Sequence, residues 1–214
     1  MEERDTYGKA FLQTMNLWEV DEAVARLTLS PRFGKIAADL MGADRIRLYH
    51  DQALFKESGG GPTPWHQDQF YWPLECRTTT MWMPLVEATT IMGTMKFASG
   101  SQSLGYVSAI GISDESESFF DRYIAEKGLP IHASGTLQAG DVTFHNGWVL
   151  HAAGGNGTET MREAMTIIFF EDGAKIIEPD HQNRKNDLAR WFPGQAPGEL
   201  AGSKLNPVVF SRSH

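Results

Sequence analysis

Four residues of this chain have the types and spacing for metal chemistry. His66-Gln67-Asp68 sets an imidazole and a carboxylate two residues apart, which on an extended segment puts both on one face. His151 follows much later, and Arg162 comes eleven residues after it. Two histidines and one carboxylate can cover one face of an octahedral Fe(II) and leave three positions open for a cosubstrate and O₂. A cation beyond the last ligand could clamp the far carboxylate of a 2-oxo acid. This chemistry depends on elements that bring the four side chains together.

The opening stretch, 1–42, predicts supporting helices. Tyr7, Phe11 and Met15 recur at i, i+4, i+8 as one apolar stripe, with Leu12 beside them. Ser30-Pro31 reads as an N-cap followed by proline in the first helical position, and Gly42 as the stop. A β-rich core is expected over 44–175. Ile46, Leu48 and His50 alternate with Arg45, Arg47 and Tyr49, the period of a strand. Ser58–Pro64 is a flexible loop that ends just before Trp65-His66. Thr78–Val86, Gly93–Ala98 and Val142–Asn146 read as strands, the last entered by the turn Ala139-Gly140-Asp141. Ala164–Phe170 is nearly all apolar, as expected of a buried strand. A helix is expected as an insert over 113–128, a candidate lid, and the tail, 178–214, reads as loops. Short strands without long alternating helices favour a mainly β architecture with flanking helices: a double-stranded β-helix, or jelly-roll, cupin-like barrel. No repeat or linker divides the chain, so 1–214 reads as one domain.

Composition narrows the function classes. A chain of 214 residues, 41% hydrophobic and 21% charged, can bury a sizeable core. The net charge of −8 offers no basic footprint for nucleic acid. No apolar run is long enough to span a bilayer, so no membrane partner is expected. The start, Met1-Glu-Glu-Arg-Asp, is acidic and unlike a signal peptide, and the single Cys76 fits a reducing cytoplasm. A small-molecule substrate remains.

Each candidate has a plainer reading. His66 and Asp68 could share a structural hydrogen bond on a surface loop. The crowd of Trp65, Phe70, Tyr71 and Trp72 around them instead resembles the wall of a small-molecule pocket, although the same rings could pack a core. His151 could be a core histidine, and His145, six residues earlier, is a rival ligand that spacing alone does not separate from it. Arg162 could lie on the surface at a strand start. An arginine entering an apolar strand is costly unless paired, and a bound dicarboxylate would be such a partner.

Three segments together resemble the phytanoyl-CoA dioxygenase family: Trp65-His-Gln-Asp68, Gly93–Ser101, and Gly140–Asn156 followed by Arg162. The resemblance runs from about Ile46 to Phe170 and implies a double-stranded β-helix that uses Fe(II), 2-oxoglutarate and O₂. It implies His66, Asp68 and His151 as iron ligands, with His145 the preceding strand residue. It implies Arg162 as the group on the distal carboxylate of 2-oxoglutarate. Gln52 and Trp82 match positions that line the cosubstrate pocket. The chain departs from the family at Ala153, often Ser in relatives, where the hydroxyl helps hold 2-oxoglutarate; Thr80 and Gln52 are the expected replacements. It departs again at Gln102, where relatives often carry His. It also lacks a closing Ser-Lys-Leu, and with no basic patch for CoA phosphates, phytanoyl-CoA is a poor substrate.

The sequence thus points to an Fe(II)/2-oxoglutarate-dependent dioxygenase acting on an apolar or ring-bearing small molecule. Asp68 fills the carboxylate position that a halogenase of this type leaves to chloride, so hydroxylation is the default outcome, with desaturation, cyclisation or epoxidation set by substrate pose. Two other classes compete: a cupin-like metal enzyme (an isomerase or cofactor-free dioxygenase), which has no need of Arg162, and a non-catalytic binding barrel. Visible charge-transfer absorbance with Fe(II) plus 2-oxoglutarate separates all three.

Overall fold

Tertiary pairing, rather than local propensity, fixes the elements around the site. The computed structural model describes residues 4–212. The extreme termini, where the sequence reading finds no signal peptide and no Ser-Lys-Leu end, lie partly outside them. Two antiparallel sheets form the jelly roll. The larger has the order β1-β2-β9-β4-β7, made of Leu12–Met15, Arg45–Lys56, Arg162–Glu171, Thr78–Pro84 and Thr143–Asn146. The smaller has the order β3-β8-β5-β6, made of Thr63–His66, His151–Ala153, Met95–Ala98 and Ile131–Ala133. A last strand, β10 (Val208–Ser211), pairs with the start of β2.

β9 explains its own composition. Met165, Ile167 and Phe169 pack outward on a cluster with Ala37 and Ala38 of α3 (Pro31–Met41), while Ala164, Ile168 and Phe170 pack inward. A strand covered on both faces has no polar side to show. α3 follows α1 (Thr6–Ala10) and α2 (Glu22–Thr28). Its ends fall where the sequence places them: Pro31 is in the first turn, and Gly42 adopts the left-handed C-cap conformation at φ 67°. α4 (Asp114–Lys127) also matches, with a Ser113–Ser116 capping box at one end and Gly128 at the other. Instead of closing over a pocket as a lid, it seats Phe120 and Ile124 against Trp65, Ala98 and Ala152 of the smaller sheet and Leu150 just before β8.

Three expectations need correction. The Tyr7–Phe11–Met15 stripe is not helical throughout: α1 stops at Ala10, Phe11 is extended, and Leu12–Met15 forms β1 on β2. The open edge of β2 gives those backbone groups partners, and Phe11, Gln13 and Met15 then face one way with the strand period. His50 does not share a face with Ile46 and Leu48, because the β2–β9 register shifts between Leu48 and His50. That irregularity turns Tyr49 and His50 inward together. The tail is more than loops. It holds α5 (Gln182–Trp191) and β10, and Trp191, Phe192 and Ala201 join a buried cluster with Tyr49, Trp72 and Phe170. Among the described residues, no helix is long and apolar enough to cross a membrane.

Candidate metal centre

Strand pairing brings the metal-binding candidates together. His66 ends β3, His151 begins β8, and the two are direct cross-strand partners, with ring centroids 4.1 Å apart. Asp68 lies just beyond β3, at the start of a single 3₁₀ turn. One possible ligand atom from each of His66, Asp68 and His151 lies within 4.8 Å of the others. Between the two first residues, Gln67 is locked: its amide donates to the carbonyls of Gly105 (2.7 Å) and Trp148 (2.6 Å), and its oxygen accepts from the Val107 N–H (3.1 Å).

The hydrogen bonds around the centre test whether a cation fits. His66 Nδ1 lies 2.8 Å from the Pro64 carbonyl, and His151 Nδ1 lies 3.0 Å from the Val149 carbonyl. A carbonyl only accepts, so each Nδ1 carries the hydrogen, and a neutral ring then turns a lone pair outward at Nε2. Those two Nε2 atoms stand 3.5 and 3.6 Å from Asp68 Oδ1. Lone pairs aimed at a carboxylate oxygen repel unless a cation sits among them. The donor set therefore fits a divalent metal, with the backbone carbonyls orienting the rings. Burial, then the neighbouring His66, holds His151 well below the usual histidine range.

The other carboxylate oxygen is engaged differently. Asp68 Oδ2 accepts from the Thr80 hydroxyl at 3.0 Å and lies 3.3 Å from His145 Nε2. Thr80 and His145 are themselves cross-strand partners on β4 and β7. His145 thus points inward, as its strand phase suggests, but onto the oxygen facing away from His66 and His151. Its Nδ1 has no hydrogen-bond partner among the described residues, which fits a ring that donates from Nε2 to Asp68.

The centre opens into a cavity of about 490 Å³ lined from both sheets. Arg162 enters it from β9. It is 2% exposed, donates to the Gly93 carbonyl at 2.9 Å, and places its guanidinium 5.4 Å from the Trp82 ring centre. Gly93 itself packs against the backbone of the Gly154-Gly155 segment: at φ +79° a Cβ would stand 2.1 Å from the Gly154 oxygen, so only glycine fits there. Arg162 Nε has no hydrogen-bond partner among the described residues. Burial pulls its pKa down to about 10, which still leaves it charged at neutral pH. A buried guanidinium with a free donor fits a ligand carboxylate. Gln52 and Trp82 line this cavity, and Gln52 accepts from the Gln13 amide at 2.8 Å.

Of the aromatic crowd, Tyr71 and Trp72 line the cavity. Trp65 faces α4, where its indole N–H reaches Asp121 at 2.8 Å, and Phe70 stacks on His181. Among the lining residues that sequence reasoning did not single out are Gln13, Trp191 and Thr166. The signal for Thr166 was present, since it is the one polar residue in Ala164–Phe170. Trp191 lay in a tail read as loops.

Comparison with known proteins agrees with this geometry. A model of the family described as phytanoyl-CoA dioxygenase (PhyH) matches residues 3–164. No curated protein matches the chain. Among solved structures, the epimerase SnoN from nogalamycin biosynthesis, in complex with Fe3+, alpha ketoglutarate (2-oxoglutarate) and nogalamycin RO, is 26% identical; the match covers 94% of this chain and 78% of SnoN, with a TM-score of 0.78. The non-heme alpha ketoglutarate dependent carbocyclase SnoK is 25% identical over 92% of this chain and 75% of SnoK, with a TM-score of 0.75. EctD from S. alaskensis with bound Fe, 24% identical over 78% of this chain and 59% of EctD, shares the fold at a TM-score of 0.66.

Proposed function

Because the chain belongs to the phytanoyl-CoA dioxygenase family, an enzyme family of Fe(II), 2-oxoglutarate and O₂ chemistry, we propose that it hydroxylates an apolar or ring-bearing small molecule with His66, Asp68 and His151 as the iron ligands. The observation that carries the ligand assignment is the pair of Nε2 lone pairs facing Asp68 Oδ1, each set by an Nδ1–carbonyl hydrogen bond. Bound Fe(II), with 2-oxoglutarate and O₂, supplies the oxidising power to break an unactivated C–H bond.

The chain's own residues do the rest. Thr80 and His145 hold Asp68 Oδ2, so that Oδ1 alone turns to the histidines. Arg162 offers its charge and free Nε to the distal carboxylate of 2-oxoglutarate. Tyr71, Trp72 and Trp191 give the cavity flat apolar walls and exclude water from the reacting carbon. The reactions of SnoN and SnoK, epimerisation and carbocycle formation, favour a second reading in which the same C–H cleavage ends without oxygen transfer.

Titrating the protein with Fe(II) and 2-oxoglutarate without O₂ tests the site. Wild type and His145→Ala should give visible charge-transfer absorbance; His66→Ala, Asp68→Ala and His151→Ala should not. Arg162→Ala should keep metal and need at least about tenfold more 2-oxoglutarate, with Arg162→Lys intermediate. Metal lost in His145→Ala but kept in His151→Ala would reverse the ligand assignment. Once a substrate is found, ¹⁸O₂ separates the reactions, because oxygen transfer leaves label in the product formed from that substrate, whereas epimerisation and ring closure leave it unlabelled.

A further inference from the structure

We propose that the Thr166 hydroxyl donates to the distal carboxylate of 2-oxoglutarate beside Arg162, replacing the hydroxyl that Ala153 lacks; this rests on the cosubstrate reading above. Thr166 sits in the middle of β9, between cross-strand partners Gln52 on β2 and Trp82 on β4. It is 6% exposed, lines the same cavity as Arg162, and its Oγ1 has no hydrogen-bond partner among the described residues. A buried hydroxyl with no partner is destabilising, and so is a buried guanidinium with an idle Nε. Both lie on one strand and face one cavity, and the Arg162 guanidinium reaches back over the ring of Trp82, the neighbour of Thr166. A single carboxylate would satisfy both donors at once.

The alternative donors are worse placed. Thr80 already donates to Asp68. The Gln52 oxygen is taken by Gln13, and its amide nitrogen lies 3.5 Å from His50 Nδ1. Ala153 packs with Met95, Trp82 and Ala164, so that part of the wall is apolar. Thr63, opposite Ala153 on β3, also lines the cavity, and its oxygen receives Lys56 Nζ at 3.4 Å. It is the rival to be tested.

Calorimetric titration of Mn(II)-loaded protein with 2-oxoglutarate decides the matter without turnover. Thr166→Val preserves shape, so it should bind Mn(II) as wild type does and 2-oxoglutarate about tenfold or more weakly. Thr166→Ser should stay close to wild type, and Thr63→Val should be unaffected. Equal 2-oxoglutarate affinity in wild type and Thr166→Val overturns the proposal, as does a loss confined to Thr63→Val. Wild type that takes Mn(II) but not 2-oxoglutarate overturns the cosubstrate reading itself, and this inference with it.

Discussion

At the scale of single residues, the two polar groups of one imidazole divide their work. In His66 and His151 a backbone carbonyl takes the Nδ1 hydrogen, and Nε2 is left for a metal. In His145 the facing carboxylate oxygen takes Nε2 instead. In the proposed assignment, partner choice rather than residue type separates ligand from support. Lys56 shows the same dependence on surroundings. It is fully buried on β2, opposite Arg162 in register, and its amine donates to the Gly61 carbonyl at 2.5 Å. Burial first, and the charge of Arg162 second, lower its pKa from 10.5 to about 7. The unfolded chain keeps that proton up to its ordinary pKa, so between about pH 7 and pH 10.5 the unfolded state binds more protons than the folded one. Stability should therefore rise with pH across that window, and below it this group adds no pH dependence. Urea unfolding at pH 7, 8 and 9 should show the rise in wild type and a flatter profile in Lys56→Met. An unchanged slope in the variant would mean that another group sets it.

At the scale of elements, α4 matters because of the strand it covers. β3 is an edge strand, with an unpaired row of backbone groups on its outer side. Glu117 of α4 accepts the backbone N–H of Trp65 at 2.8 Å, and Asp121 accepts its indole N–H. Both contacts fix the residue just before His66. The helix is held there by Phe120 and Ile124, its buried face, while Phe119 is only partly buried. Phe120→Ala should lower unfolding stability by about 3–5 kcal/mol, and Phe119→Ala by clearly less. Denaturation midpoints that fall equally in the two variants would show that α4 is not seated by this face.

For the whole molecule, the tail is part of the core. α5 brings Trp191 to the cavity wall, Phe192 and Ala201 bury themselves beside Tyr49 and Phe170, and β10 continues the larger sheet along β2. Asp187 of α5 also accepts the Tyr49 hydroxyl at 2.7 Å. Removing 181–214 would expose an apolar cluster and one sheet edge together. The full chain should unfold in a single cooperative transition, whereas the truncated chain should bind a hydrophobic dye and lose that transition. A truncated protein that melts as sharply and as high as the full chain would return the tail to the status of a dispensable wrap.

What the sequence determined by itself was local or periodic. The two-residue step in His66-Gln67-Asp68, the helix ends at Pro31, Gly42, Ser113 and Gly128, and the apolar run of β9 each reflect chemistry within a few residues, and the structure places them as read. The order of the His, Asp, His and Arg segments carried the family and its fold. The rest depended on partners distant in the chain. Leu12–Met15 became a strand because β2 had an open edge, and the tail formed α5 and β10 because a core surface and a strand start were there to receive them. One register shift in β2 turned His50 into the cavity, against the alternation of its neighbours. Periodicity could not tell His145 from His151, since both point inward; only the positions of two backbone carbonyls and two carboxylate oxygens separate them. Such contacts form when strands pair across a sheet, and the spacing of residues along one strand does not encode which strand lies opposite.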